Sequence, residues 1–210
     1  MNSAPVMLAD LHPCELGGRT YVFRTPDVYD PARARRLLGR QRIRRPALAE
    51  FRFAALAGVE AMAATVGDIE EGERQKALVD EFYQLIEPID EDAIDEPDFE
   101  LRAAEVKRRA AETEARLREI APQIVAIQAS LERHWGPYAE LKTDCDYWDE
   151  VSRIDMVRLL LVSIDGVTCP RDDDGLITQT TYRAIAADHR QALATFAFRL
   201  LAPDEAQRKN

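Results

Sequence analysis

Apolar and polar side chains alternate first between Arg19 and Thr25. Tyr21 and Phe23 fall on one side and Thr20, Val22 and Arg24 on the other, the period of two of a half-buried strand. Pro13-Cys14-Glu15-Leu16 leads into Gly17-Gly18, and two adjacent glycines supply the positive φ angles of a tight reversal. This predicts a β-hairpin, stopped by Pro26, that must rest on helices because an isolated hairpin is marginal in water.

Beyond Asp30 the period becomes helical. Asp30 with Pro31 opens a short helix, since a proline at the first helical position loses no hydrogen bond. Pro46 opens a helix over 47–66 with Leu48, Phe51, Ala55, Val59, Met62 and Val66 on its apolar face, ended by Gly67-Asp68. A helix over 71–87 carries Leu78, Phe82, Leu85 and Ile86 and stops before Pro88. The acidic, proline-bracketed 89–98 reads as a linker or loop.

From Phe99 to Trp135 the spacing alternates three and four along Ala103, Val106, Ala110, Thr113, Leu117, Ile120, Ile124, Ile127 and Leu131, a heptad stripe. Pro122 is expected to kink or divide it, giving a projecting helical arm. Past Gly136-Pro137, the acids near Asp149 are expected to open a helix through Val151, Ile154, Val157 and Leu161 that ends near Asp165-Gly166. Pro170 to Gly175 reads as an acidic turn. A last helix over 179–201 carries Tyr182, Ile185, Ala186, His189, Leu193, Phe196 and Leu200 on one face. The predicted fold is mainly α: a helical domain with a small N-terminal β-hairpin and the arm. The expected organisation is hairpin plus helices in 1–88, acidic linker 89–98, arm 99–135, and C-terminal helices 136–210 packing with 1–88 as one domain.

Charge adds a polarity to this picture. The chain of 210 residues has net charge −10, unevenly placed. Met1 to Arg45 holds nine basic and four acidic residues, whereas Asp68 to Glu100 holds fourteen acidic and two basic. Such a chain can pair its own halves or pair head to tail with copies of itself; two solvated faces that never meet are the plain alternative. No stretch approaches the roughly 20 apolar residues of a membrane helix. Met1 to Leu11 lacks the basic and apolar regions of a signal peptide. Cys14, Cys145 and Cys169 fit neither a disulfide framework nor a zinc site. A cytoplasmic protein is expected.

Candidate chemistry is sparse. Phosphate loops, His-Glu-x-x-His, Gly-x-Ser-x-Gly and Cys-x-x-Cys are absent from the sequence. His12, His134 and His189 are far apart, and His189, on an apolar helix face, reads as a structural histidine. Two acidic clusters, Asp144, Asp146, Asp149 and Glu150, and Asp172 to Asp174, lack the spacing of a calcium loop. Carboxylates at a helix start explain the first and a solvated turn the second. No catalytic group, metal or cofactor is expected. Arg33, Arg35, Arg36, Arg40, Arg42, Arg44 and Arg45 lie within thirteen residues free of acid. Arginine's planar fork suits phosphate, so a nucleic-acid-binding regulator is one reading. Acidic protein surfaces suit it equally, and the segment lacks aromatics for strand stacking.

The order of features resembles the tail assembly chaperones of long-tailed (siphovirus-like) bacteriophages and prophages. Gly17-Gly18-Arg19-Thr20-Tyr21-Val22-Phe23-Arg24-Thr25-Pro26 resembles the family's opening strand. Asp30 to Leu38 resembles the short helix that follows, leading to the amphipathic helix around Phe51. Val157 to Val167, with Ile164-Asp165-Gly166, looks like its late helix and turn, and Phe196 to Asn210 like its final amphipathic helix and polar tail. The resemblance implies a non-catalytic chaperone that keeps the tape-measure protein soluble, with the major tail protein as a further partner and self-association between copies. Arg33, Arg35, Arg36, Arg40, Leu117, Ile124, Leu131, Leu193, Phe196 and Leu200 are the expected contacts. Arg208-Lys209-Asn210 can be encoded by a run on which ribosomes slip back one base, and the family often makes a frameshifted longer product. A short product is the corresponding expectation, and an AAG codon at Lys209 would exclude it.

Overall fold

The computed structural model describes residues 11–90, 94 and 98–201. The first residues, most of the acidic linker and the polar tail with Lys209-Asn210 lie outside the described residues. The chain divides into two compact units: unit 1 comprises Met1–Arg45 and Asp146–Asn210, and unit 2 comprises Pro46–Cys145. The fold is mainly α with a small N-terminal hairpin, as the periodicity predicts. The division of domains differs from the expected one. The hairpin does lie with the C-terminal residues in unit 1, but the predicted helices of 46–88 belong with 99–135 in unit 2.

In unit 1, β1 (Leu11–Leu16) and β2 (Arg19–Arg24) pair around Gly17-Gly18, whose φ angles are +54° and +76°. Tyr21 and Phe23 are fully buried, so the predicted inward face is the observed one. The sheet does not end there. β3 (Leu161–Ile164) adds antiparallel to β2, and β4 (Val167–Thr168) closes an antiparallel sheet of order β1-β2-β3-β4. Residues 161–164 were expected to continue a helix. Asp165 and Gly166 both have positive φ (51° and 78°), the geometry of a two-residue hairpin turn. The Asp165 carboxylate accepts from Thr20 N (2.8 Å) and Arg19 Nε (2.9 Å), fastening that turn to β2. Sheet pairing has thus overridden an apolar run that either element could use.

Two further helices flank the sheet in sequence: α1 (Asp30–Arg40), and α5 (Gly136–Leu160), whose residues from Asp146 on belong to unit 1. The helix start expected near Asp149 is corrected: α5 opens at Gly136-Pro137, where a proline in the first turn costs no hydrogen bond. The predicted last helix is two, α6 (Gln179–Arg183) and α7 (Ala187–Leu201). The break buries Ile185, and the Arg190 guanidinium accommodates the freed carbonyls by donating to Ile185 O and Arg183 O. The core of unit 1 joins Tyr21, Phe23, Val157, Leu160, Leu161, Ile177, Ile185, Leu193 and Ala197. Each large apolar side chain removed from water contributes about 1.5–3 kcal/mol.

In unit 2, α2 (Leu48–Val66), α3 (Ile69–Leu85) and α4 (Phe99–His134) pack with the start of α5. Small residues set the close approaches. A Cβ on Gly72 would sit 2.3 Å from Ala63 Cβ, and one on Gly58 would sit 2.5 Å from Leu131 Cδ2. The buried faces are Ala54, Ala55 and Val59 on α2 and Val79 and Tyr83 on α3. The α3 face is therefore centred one residue later than predicted, with Leu78, Phe82 and Leu85 at its flank. Leu48 and Val66, expected on the apolar face of α2, are exposed.

The stripe of α4 is graded. Ala103 and Ala110 are exposed, Val106, Thr113 and Leu117 are intermediate, and Ile120, Ile124, Ile127 and Leu131 are buried against α2 and α3. The expected arm is therefore half core. Pro122 lies inside α4 without dividing it.

Candidate protein-binding surfaces

The arginine segment is largely engaged by its own unit. Asp30, wholly buried, accepts both guanidinium nitrogens of Arg24 (2.6 and 2.8 Å), Arg33 Nη1 (3.0 Å) and Asp27 N (2.7 Å). Burial would raise its pKa; Arg24, the Asp27 N–H and Arg33 outweigh that and hold it below the usual carboxylate value. Arg33 also meets Asp27, Arg40 meets Asp174 at 2.5 Å, and Arg45 lies over the Trp148 ring and 4.0 Å from Asp149. The Asp68–Glu100 stretch lies in unit 2. That stretch has its own cations: Arg52 binds Asp80 and Glu87, Lys76 binds Glu60 and Glu73, and Arg116 binds Glu81. Arg35 and Arg36 are exposed on α1.

The apolar contact residues sort differently from expectation. Ile124, Leu131 and Leu193 are buried core residues, which removes them as contact sites on the folded units. Phe196 and Leu200 pack partly buried on the core of unit 1, with Phe196 tilted on Phe23 at 5.2 Å. Leu117 alone of the proposed α4 contacts lies outside the buried stripe. Periodicity names the apolar side of a helix but not whether the chain itself covers it.

The second acidic cluster shapes a turn, whereas Asp144, Asp146, Asp149 and Glu150 lie inside α5 and not at a helix start, so the helix-end explanation expected for them fails. Asp172 accepts from Arg158 at 2.7 Å and from the N–H groups of Asp174 and Leu176, which shapes the turn before Gly175. Among the described residues no group of three or more His, Cys, Asp or Glu side chains stands close enough for a metal ion. Likewise, no described helix is long and apolar enough to cross a membrane. His189 has a structural partner: its Nδ1 lies 2.8 Å from the Tyr21 hydroxyl, and its ring lies against Gly17, where a Cβ would come within 2.6 Å of Nε2.

The sequence reading missed a groove in unit 2. It is about 600 Å³, at the corner where α2 turns into α3 beside the end of α4. Met62, Ala63, Val66 and the Trp135 indole line it, and Val66 is 80% exposed. Ile69, 59% exposed, follows on the first turn of α3. The charged lining is Asp68 and Glu71, with His134 and without lysine or arginine. Hydrogen bonds from Arg74 and Gln75 hold the Glu71 carboxyl at about 2, so it stays ionised. The Trp135 N–H is buried with no acceptor among the described residues, a deficit of about 1–3 kcal/mol. Glu71 and Gln75 also line a second hollow of about 350 Å³ that continues between α3 and α4 past Leu78 and Ile127. A separate hollow of the same unit has Phe53, 78% exposed, among Glu50, Glu140 and Asp144. The signal available in the sequence was the apolar pair Val66 and Ile69 around Gly67-Asp68, where a turn would otherwise be polar.

Compared with protein families, curated proteins and solved structures, the chain shows no significant match.

Proposed function

We propose that the chain is a non-catalytic assembly chaperone of the kind long-tailed bacteriophages encode, which keeps the tape-measure protein soluble in the host cytoplasm during tail assembly. The observation that supports this reading most is where its characteristic segments fall. Residues 17–26, 30–38, 157–167 and the described part of 196–210 are remote in sequence, yet they make up β2, α1, the end of α5 with β3, and α7 of one compact unit. The helix around Phe51, by contrast, belongs to unit 2, whose 46–145 interrupt that arrangement. A tape-measure protein is long, helical and apolar along its length, and a helical chaperone covers such a stripe by helix-in-groove packing.

Co-expression with a large helical tape-measure protein tests the reading. The large protein should move into the soluble fraction and co-purify, and sedimentation should reveal self-association of the chaperone. Equal solubility with and without this chain overturns the reading. The nucleic-acid alternative keeps one supporting observation, the exposure of Arg35 and Arg36 on α1. It predicts salt-dependent retention on DNA that is lost when Arg35, Arg36 and Arg40 become Ala.

A further inference from the structure

We infer that the groove at the α2–α3 corner of unit 2 binds a basic amphipathic helix presented by a partner protein. The apolar part of the site is already assembled. Met62, Val66 and Trp135 line a concave surface, Ile69 is exposed on the first turn of the adjoining α3, and the hollow between α3 and α4 shares Glu71 and Gln75 with it and runs past Leu78 and Ile127. A helix laid in such a groove anchors side chains spaced three and four apart, and the groove supplies apolar surface in that linear form.

Charge chooses the occupant's polar face. Asp68 and Glu71 stand on the lining and Glu70 in the same turn of α3, with Glu71 paired to Arg74 on the side of the adjoining hollow. Unit 2 as a whole holds 23 acidic against 11 basic side chains, so the field around the groove attracts cations and repels an acidic helix. Unit 1, with 15 acidic and 17 basic side chains, carries the opposite sign. The arginine helix α1 of a second copy is nevertheless a poor occupant. Its apolar side is spent at home, with Leu38 buried and Ala34 and Leu37 packed on the core of unit 1. A partner whose basic helix keeps its apolar side free fits both halves of the site.

The groove is formed by unit 2 alone, whereas the chaperone reading rests on unit 1, so a synthetic helix tests it without the tape-measure protein. Trp148→Phe leaves Trp135 as the sole indole of the full chain. A leucine–lysine amphipathic peptide of about 18 residues, five helical turns, is titrated against it. The expected result is a shifted Trp135 emission with saturable binding that weakens as salt rises. The same leucine face backed by glutamate should bind at least about tenfold more weakly. Val66→Lys with Ile69→Lys, both at exposed positions, should cost about tenfold or more while the circular dichroism stays unchanged. Equal binding of the acidic peptide, or no effect of the paired lysines, overturns the proposal. So does concentration-dependent dimerisation abolished by those lysines, which would make a second copy the occupant.

Discussion

Removing the charge of Asp30 probes what stabilises unit 1. Its carboxylate has no solvent exposure and binds Arg24 through both guanidinium nitrogens, together with Arg33 and the Asp27 N–H. Asp30→Ala leaves Arg24, whose side chain is 21% exposed, without its counter-charge. Breaking a buried ion pair from one side costs about 3–5 kcal/mol. Arg24 keeps some water and still donates to Thr25 O at 3.2 Å, so the lower end, about 3 kcal/mol, is expected. Against a total stability of about 5–15 kcal/mol that is a large share.

Urea unfolding of a Trp135→Phe background, followed by the fluorescence of Trp148, reads unit 1 specifically. A double-mutant cycle with Arg24→Ala isolates the pair, with about 2 kcal/mol of coupling expected. The pH dependence supplies an independent check. The folded pKa of Asp30 lies below its unfolded value of about 3.9, so the contribution is fully present above that value and is lost as pH falls through the lowered folded one. Asp30→Asn should therefore flatten the acid limb of the stability curve. Coupling below about 0.5 kcal/mol, with the acid limb intact, would refute a stabilising role for the cluster.

Asp155 should behave oppositely: burial raises its pKa, so its contribution is lost as pH rises through the folded value, and Asp155→Asn should raise the melting temperature at neutral pH. Leu131→Ala should destabilise unit 2 by about 2–5 kcal/mol, whereas Val125→Ala, on the exposed side of the same helix, should stay within about 0.5 kcal/mol in urea unfolding. Equal effects would mean that α4 is not packed as described. Gly58→Val should cost about 1–3 kcal/mol and alter Trp135 fluorescence, because its Cβ would stand 2.7 Å from the indole. Gly17→Ala should cost about 1–3 kcal/mol by thermal melting, combining a positive φ with a clash against His189.

Local signals determined a great deal of this protein. Two adjacent glycines and the Tyr21/Phe23 alternation specify the hairpin and its buried face, because turn chemistry and a period of two act over a few residues. Prolines at helix starts and the three–four spacing of apolar residues likewise specify α1 to α4, apart from the undivided passage through Pro122. Tertiary structure decided what local spacing cannot carry. Leu161 to Ile164 became a strand because Tyr21 and Val22 offered an open edge some 140 residues away in sequence. Ile124, Leu131 and Leu193 became core and Val66 and Ile69 surface, although all five are apolar residues on helices. The arginines found their carboxylates across gaps as wide as that from Arg40 to Asp174. Hydrophobicity and charge say only that a side chain seeks cover or a counter-ion, and which neighbour provides it is settled when distant segments pack together.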